Sequence, residues 1–235
     1  MTTRAEKLPL KIQLIKTADG SHSLLNVDLQ ESYHSIHGAI QESLLVFIKN
    51  GLEYRVGKNL TRPVRVLEIG FGTGLNALLT LQYTINSEIQ IHYSSVEAHP
   101  IPWETAQLLN YPERLAQEGL TSFFQQLHVA SWTRDEQLTE NFILAKMGTS
   151  LQDADLPANQ FDVIYFDAFS PNKQPELWEL PMLRKVEQSM KPDAIFTTYC
   201  AQGQFKRNLK SLGLRVEVVP GPVGKKEMVR AEKAG

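Results

Sequence analysis

Three glycines at alternate positions follow an apolar run in Val66-Leu67-Glu68-Ile69-Gly70-Phe71-Gly72-Thr73-Gly74-Leu75-Asn76. This spacing lets a buried strand turn tightly into a helix and admits a ligand where a Cβ would collide. The segment lacks the G-x-G-x-x-G pattern of dinucleotide binders, and Glu68 stands two positions before the first glycine. That acid suits a nucleotide carrying positive charge or an amino-acid tail better than a pyrophosphate. A ligand-free strand-to-helix turn is the plainer alternative. Glu97 ends the second expected strand, after Ile91-His92-Tyr93-Ser94-Ser95-Val96, where a carboxylate can accept hydrogen bonds from both ribose hydroxyls. Otherwise it is an exposed acid before the turn His99-Pro100. Asp167 ends a third apolar run, residues 161–166, and Phe169 follows it. At a strand's carboxyl end Asp167 would face the crevice in which open α/β sheets bind ligands. There it can hold an amine and take up positive charge as the nitrogen is alkylated, with Phe169 against a ring. The competing reading of Asp167 is a helix cap.

Positioning these groups takes strands alternating with helices, the signal of a parallel sheet covered on both faces. Strands are expected at 64–69, 91–96, 142–146, 161–166, 194–199, 214–218 and 227–230, with helices at 75–83, 102–109, 181–190 and 204–212. The last two strands are joined by residues 220–224, too short for a crossover helix, and should pair antiparallel. A seven-stranded, mostly parallel sheet with an antiparallel last strand is the Rossmann-like α/β fold of class I methyltransferases, and S-adenosylmethionine is the nucleotide that suits the loop. Upstream, residues 11–15 and 23–27 flank Asp19-Gly20 as a β-hairpin. Ile40, Leu44, Phe47 and Ile48 share one helix face, with Gly51 as its stop. The expected division is an appendage over 1–62 and a methyltransferase domain over 63–235, with residues 149–160 as a polar loop near the ligand edge.

With 42% hydrophobic and 21% charged residues, the 235-residue chain can bury a full core, which excludes overall disorder. A single cysteine, Cys200, excludes a disulfide framework and any multi-cysteine metal site, and reads as a buried small residue in a cytoplasmic protein. No stretch approaches the roughly 20 apolar residues that span a bilayer, and residues 1–10 lack the apolar core of a secretion signal. His34 and His37 are three apart with no cluster to complete a metal site, so they read as surface or substrate contacts. Trp103, Trp132 and Trp178 read as core or loop anchors. Net charge is −2, but 11 Lys or Arg stand against 5 acids from Arg184 onward, against 13 and 21 before it. A basic C-terminal quarter is either a local phosphate-binding surface or a set of solvated helix faces.

Residues 68–76, 165–171 with Gln174-Pro175-Glu176-Leu177-Trp178, Thr198-Tyr199 with Ala201 and Gly203, and Gly224-Lys225-Lys226-Glu227-Met228 together resemble the methyltransferase half of the bifunctional tRNA 5-methylaminomethyl-2-thiouridine biosynthesis protein and its stand-alone relatives. Tyr33-His34-Ser35, Gly38, Glu42 and Val46-Phe47 extend the resemblance over nearly the whole chain. It implies methyl transfer from S-adenosylmethionine to the aminomethyl nitrogen of a wobble uridine, with tRNA bound at its anticodon region and a separate flavin oxidoreductase acting upstream. Glu68, Gly70, Gly72, Gly74, Asn76 and Glu97 are then the candidate cofactor contacts, Asp167 the catalytic residue, and Tyr33, Phe169, Lys225 and Lys226 the candidate substrate contacts. Where the family pattern has Gly-Asp after the third strand, this chain has Met147-Gly148-Thr149, leaving Asp153 as the candidate adenine contact. The Lys-Arg-Glu-Met pattern is Lys225-Lys226-Glu227-Met228 here, and lysine cannot make the forked phosphate contact of arginine. Two other readings share these residues: an aminopropyltransferase using decarboxylated S-adenosylmethionine, and a tRNA-binding module without turnover.

Overall fold

The computed structural model describes residues 11–58, 63–87 and 89–235. An eight-stranded sheet runs in the order β10-β11-β9-β8-β4-β5-β7-β6, formed by β4 (Val64–Ile69), β5 (Ile91–Val96), β6 (Glu136–Thr139), β7 (Phe142–Met147), β8 (Phe161–Phe166), β9 (Met190–Thr198), β10 (Leu214–Pro220) and β11 (Glu227–Lys233). It contains the seven expected strands and adds a short edge strand, β6, antiparallel to β7. Strands β9, β8, β4, β5 and β7 are parallel, and β11 is antiparallel to both of its neighbours. A smaller sheet holds β1 (Ile12–Lys16), β2 (His22–Asn26) and β3 (Glu31–Ser32), so the expected hairpin carries a third strand.

Burial on both faces explains why the central strands β4 and β8 read as mainly apolar runs. In β4, Val64 and Val66 enter the core under one set of helices, while Leu67 and Ile69 enter the opposite one. All six residues of β8 are buried. The acid in it, Asp162, is matched by Lys191 at 2.8 Å and by the backbone N–H of Arg65 at 3.0 Å.

The chain reverses twice more than expected. Helix Trp103–Ala106 is shorter than the anticipated 102–109, and a further helix, Leu120–Val129, packs Leu120, Phe124 and Leu127 into the core. Gly51 is not a stop: a continuous helical run covers 39–56, α-helical at Ala39–Ser43 and Tyr54–Val56 and π-helical across Leu44–Glu53. A Cβ at Gly51 would lie 2.8 Å from Thr197 Cγ2 and 3.0 Å from Tyr165 Cε1. The glycine therefore lets this helix cross the sheet closely, and Thr197 donates to the Val46 carbonyl at 2.8 Å across that contact. The boundary expected between 62 and 63 falls at the edge of a segment, 59–62, outside the described residues. No helix among the described residues is long and apolar enough to cross a membrane.

Candidate functional site

Strand register sets the site. Ile69 pairs with Val96 on one side and Phe166 on the other, and Tyr165 pairs with Thr197. The residues just beyond, Glu97, Gly70, Asp167 and Tyr199, therefore emerge in one row at the carboxyl ends of four parallel strands. The ladder continues one step past the strands: Gly70 N–H donates to Val96 O at 2.9 Å, and Asp167 N–H to Ile69 O at 3.0 Å. The chain leaves β4 toward β5 on one side, while β8 returns on the other, so this row lies at the switch point where open sheets bind ligands.

A cavity of about 820 Å³ opens there. Its wall includes Gly70, Gly72, Glu97, Asp167, Tyr33, Phe169 and Lys225. Gly70 has φ +94°, and a Cβ on it would stand 2.6 Å from the Asp167 carbonyl oxygen, so the two strand ends meet only because this side chain is missing. Glu97 accepts hydrogen bonds from Gly72 N–H at 3.0 Å and His99 N–H at 2.7 Å, one on each oxygen. Tyr33 and Phe169 meet edge to face at 4.9 Å. Burial raises the Tyr33 hydroxyl above its usual range, with the Glu97 charge adding to it, which keeps the phenol a neutral donor.

Asp167 accepts a hydrogen bond from Asn76 Nδ2 on Oδ2 at 2.8 Å. Burial pushes its pKa up to about 7; the charge of Glu42 adds to this, and Asn76 and Lys225 work against it. A carboxylate that changes state near neutrality, facing a cavity, can accept a proton from a bound amine and release it again.

The remaining expected contacts lie outside the cavity wall. Glu68 is fully enclosed in β4, where the Ser95 hydroxyl donates to it at 2.7 Å, and burial pushes its pKa well above the carboxylate range. Asn76 and Tyr93 sit beside it, yet Glu68 Oε1, Asn76 Oδ1 and the Tyr93 hydroxyl each lack a hydrogen bond of proper geometry among the described residues. Gly74 caps helix Leu75–Ile85 behind the loop, against His128 and Phe71. Asn76 stands behind Asp167 and reaches it by the hydrogen bond above. Asp153 is exposed and turned to Ser150, whose hydroxyl donates to it at 2.8 Å; Thr149, Ser150, Leu151 and Gln152 line the cavity from this loop instead. Lys226 is exposed, while Lys225, its side chain 34% exposed, pairs with Glu42 at 2.8 Å.

His34 is not the surface residue that the sequence suggested: it is buried, its Nε2 2.7 Å from Thr73 Oγ1, which also accepts from the Tyr111 hydroxyl at 3.2 Å, so the N-terminal segment grips the glycine loop. Burial lowers His34 to about 4, leaving it neutral. Behind the same loop Lys146 is buried, donating to the carbonyls of Leu127 and His128 at 2.8 and 2.9 Å and lying 4.3 Å from the Trp132 ring centre. Glu31 accepts from Ser170 N–H and hydroxyl at 3.1 and 3.0 Å, tying the small sheet to the loop after Asp167. Only the motifs around His34 and Glu42 gave a hint, through their place in the resemblance.

A nucleoside-sized cation fits this wall. The cavity has the volume of a small-molecule site, the glycine loop leaves room against its backbone, Glu97 holds both oxygens in fixed orientation, and the lysine in the wall is already paired to an acid.

Comparison with known proteins agrees with this geometry. A family model described as S-adenosyl-L-methionine-dependent methyltransferase matches residues 112–234. The tRNA 5-methylaminomethyl-2-thiouridine biosynthesis bifunctional protein MnmC of Marinomonas sp. is 30% identical over 212 residues, covering 85% of this chain and 31% of that protein. Its counterpart from Burkholderia multivorans is 28% identical over 212 residues, covering 86% and 32%. The chain thus spans about a third of the length of these curated relatives. The crystal structure of MNMC2 from Aquifex aeolicus aligns with a TM-score of 0.74 at 25% identity, covering 98% of this chain and 72% of that one. Fold, cavity and family model converge: the chain belongs to the S-adenosyl-L-methionine-dependent methyltransferases.

Proposed function

We propose that the chain methylates the aminomethyl nitrogen of 5-aminomethyl-2-thiouridine at the wobble position of tRNA, giving 5-methylaminomethyl-2-thiouridine. The observation that carries this reading is Asp167, a cavity-facing carboxyl with a pKa near 7, set one strand away from the glycine loop. The names of the similar proteins support the choice of acceptor. A flavin oxidoreductase acting upstream is the activity this reading calls for to supply the free amine.

Gly70, Gly72 and Glu97 would hold the cofactor, with the Glu97 oxygens toward the ribose and the loop residues 149–152 beside the base. When bound, S-adenosyl-L-methionine supplies a methyl group on a sulfonium, already activated for transfer. The chain's residues then mainly provide proximity and alignment, which can contribute roughly 7 to 11 kcal/mol of the barrier. Asn76 fixes one oxygen of Asp167, leaving Oδ1 to orient the acceptor amine. The acceptor nitrogen, neutral when it takes the methyl group that the cofactor would supply, becomes cationic. Asp167 stabilises that charge, takes one proton from it and passes the proton to solvent. Tyr33 and Phe169 flank the acceptor ring and exclude water.

The test is mass spectrometry of tRNA nucleosides after incubation with the protein and S-adenosyl-L-methionine. Gain of one methyl on 5-aminomethyl-2-thiouridine is expected; an unchanged nucleoside, or gain of an aminopropyl group with the decarboxylated cofactor, would contradict it.

A further inference from the structure

Asp167 shares its end of the cavity with two charged side chains from opposite ends of the chain. Glu42, 5% exposed on the helical run 39–56, accepts from Ser35 N–H at 2.7 Å on one oxygen and from the Lys225 ammonium at 2.8 Å on the other. Lys225 comes from the turn between β10 and β11, and its ammonium lies 3.7 Å from the centre of the Tyr199 ring. The Tyr199 hydroxyl donates to the carbonyl of Ala168, next to Asp167, at 2.8 Å. Glu42, Lys225, Tyr199 and Asp167 all line the cavity. A buried carboxylate such as Glu42 needs a partner to stay charged, and Lys225 is that partner.

We propose that Glu42 and Lys225 are positioning residues for Asp167: their ion pair cancels internally, so the acceptor end carries one net negative charge when Asp167 is ionised, matched to the positive charge that develops on the acceptor nitrogen. The inference rests on the reading of Asp167 given above. Removing the Lys225 charge leaves two carboxylates sharing one site, and Asp167 then keeps its proton to higher pH. Removing the Glu42 charge acts in the opposite direction. These signs match the way Glu42 raises and Lys225 lowers Asp167 beneath the larger effect of burial. Glu68 from β4, Tyr93 from β5, Tyr111 from helix Tyr111–Leu115 and Tyr199 after β9 also couple electrostatically to Asp167, and burial raises the pKa of all four. Asn76 contributes a neutral donor.

The experiment follows the Asp167 side-chain carboxyl by ¹³C NMR in the free protein, the signal assigned by its loss in Asp167→Asn. Against wild type, Lys225→Met should move the midpoint up and Glu42→Gln should move it down, each by about half a pH unit or more, and the double variant should return near the wild-type value. Lys225→Arg, which keeps the charge, should leave it near wild type, and the acidic limb of kcat/KM should follow the same order. Midpoints that coincide in the folded variants would overturn the proposal. If Glu42→Gln does not fold, the Lys225→Met and Lys225→Arg pair decides alone. The titration needs no substrate, so carboxyl shifts without methylation of tRNA would sink the proposed acceptor and leave the positioning pair standing.

Discussion

Glu68 stands inside a strand and Glu97 directly after one, and the fold gives them opposite surroundings. Glu97 lies in the cavity wall with its oxygens held by backbone N–H groups, where the proposed ribose contact would be made. Glu97→Ala should weaken S-adenosyl-L-methionine binding by about 1.5 to 3 kcal/mol, the value of a charge-assisted hydrogen bond, as read by calorimetry; unchanged affinity would remove the ribose assignment. Glu68 is sealed in the sheet, outside the cavity wall, and burial raises its pKa well above the ordinary carboxylate value. Glu68→Gln, nearly the same shape and uncharged, should therefore bind the cofactor within a few-fold of wild type. Glu68→Ala should lose about 2 to 4 kcal/mol of stability in denaturant titration, from the cavity and the stranded Ser95 hydroxyl. A folded Glu68→Gln that no longer binds cofactor would show that the charge matters after all. The positions of these acids were legible in the sequence because Glu68 stands inside an expected strand and Glu97 directly after one. Their exposure was not, because the side of the strand each faces depends on which helices cover it.

At the level of elements, the central strands β4 and β8 were readable from sequence because burial on both faces leaves a mainly apolar signature. Gly51 misled for a physical reason: a glycine inside an amphipathic pattern looks like a local stop, whereas here it answers to side chains on β8 and β9 more than a hundred residues away in sequence. Gly51→Ala should consequently destabilise the protein by about 1 to 3 kcal/mol through overpacking against Tyr165 and Thr197, even though alanine is the better helix former. Thermal unfolding will show this; a stabilised variant would mean that the helix can back away from the sheet. The pairing of Glu42 with Lys225, 183 residues apart, left no local trace at all. Neither did the grip of His34 on Thr73, since a histidine near the N-terminus carries no spacing that points to a loop forty positions later.

Across the whole molecule, the basic excess lies in the C-terminal quarter. Lys225 pairs with Glu42 in the cavity wall, and Lys226, with Arg207 and Lys210 on helix Gly203–Ser211, is the exposed basic group for the proposed tRNA contact. Lys226→Ala should reduce the salt dependence of tRNA binding by about one unit of slope while leaving cofactor affinity unchanged; an unaltered slope would take this patch out of the interface. The two buried histidines make a defined contribution to the pH dependence of stability. His34 and His128 are both lowered to about 4 by burial, against an ordinary value of 6.5. Between those pH values each binds its proton in the unfolded chain only, so its own contribution to stability falls by about 1.4 kcal/mol per pH unit as pH drops from about 6.5 to 4, while the raised carboxyl of Asp167 works in the opposite sense. His34→Gln should remove one histidine's share of that slope relative to wild type, and an identical slope would contradict the burial of a neutral imidazole. The proposed roles at the two ends of the cavity, Glu97 toward the cofactor and Asp167 toward the acceptor, are separated most directly by one comparison on Asp167→Ala: cofactor affinity by calorimetry beside the rate of methyl transfer to tRNA. Affinity within a few-fold of wild type with a rate reduced more than tenfold is the predicted result; equal loss of both, or loss of neither, would contradict the assignment of Asp167 to the acceptor.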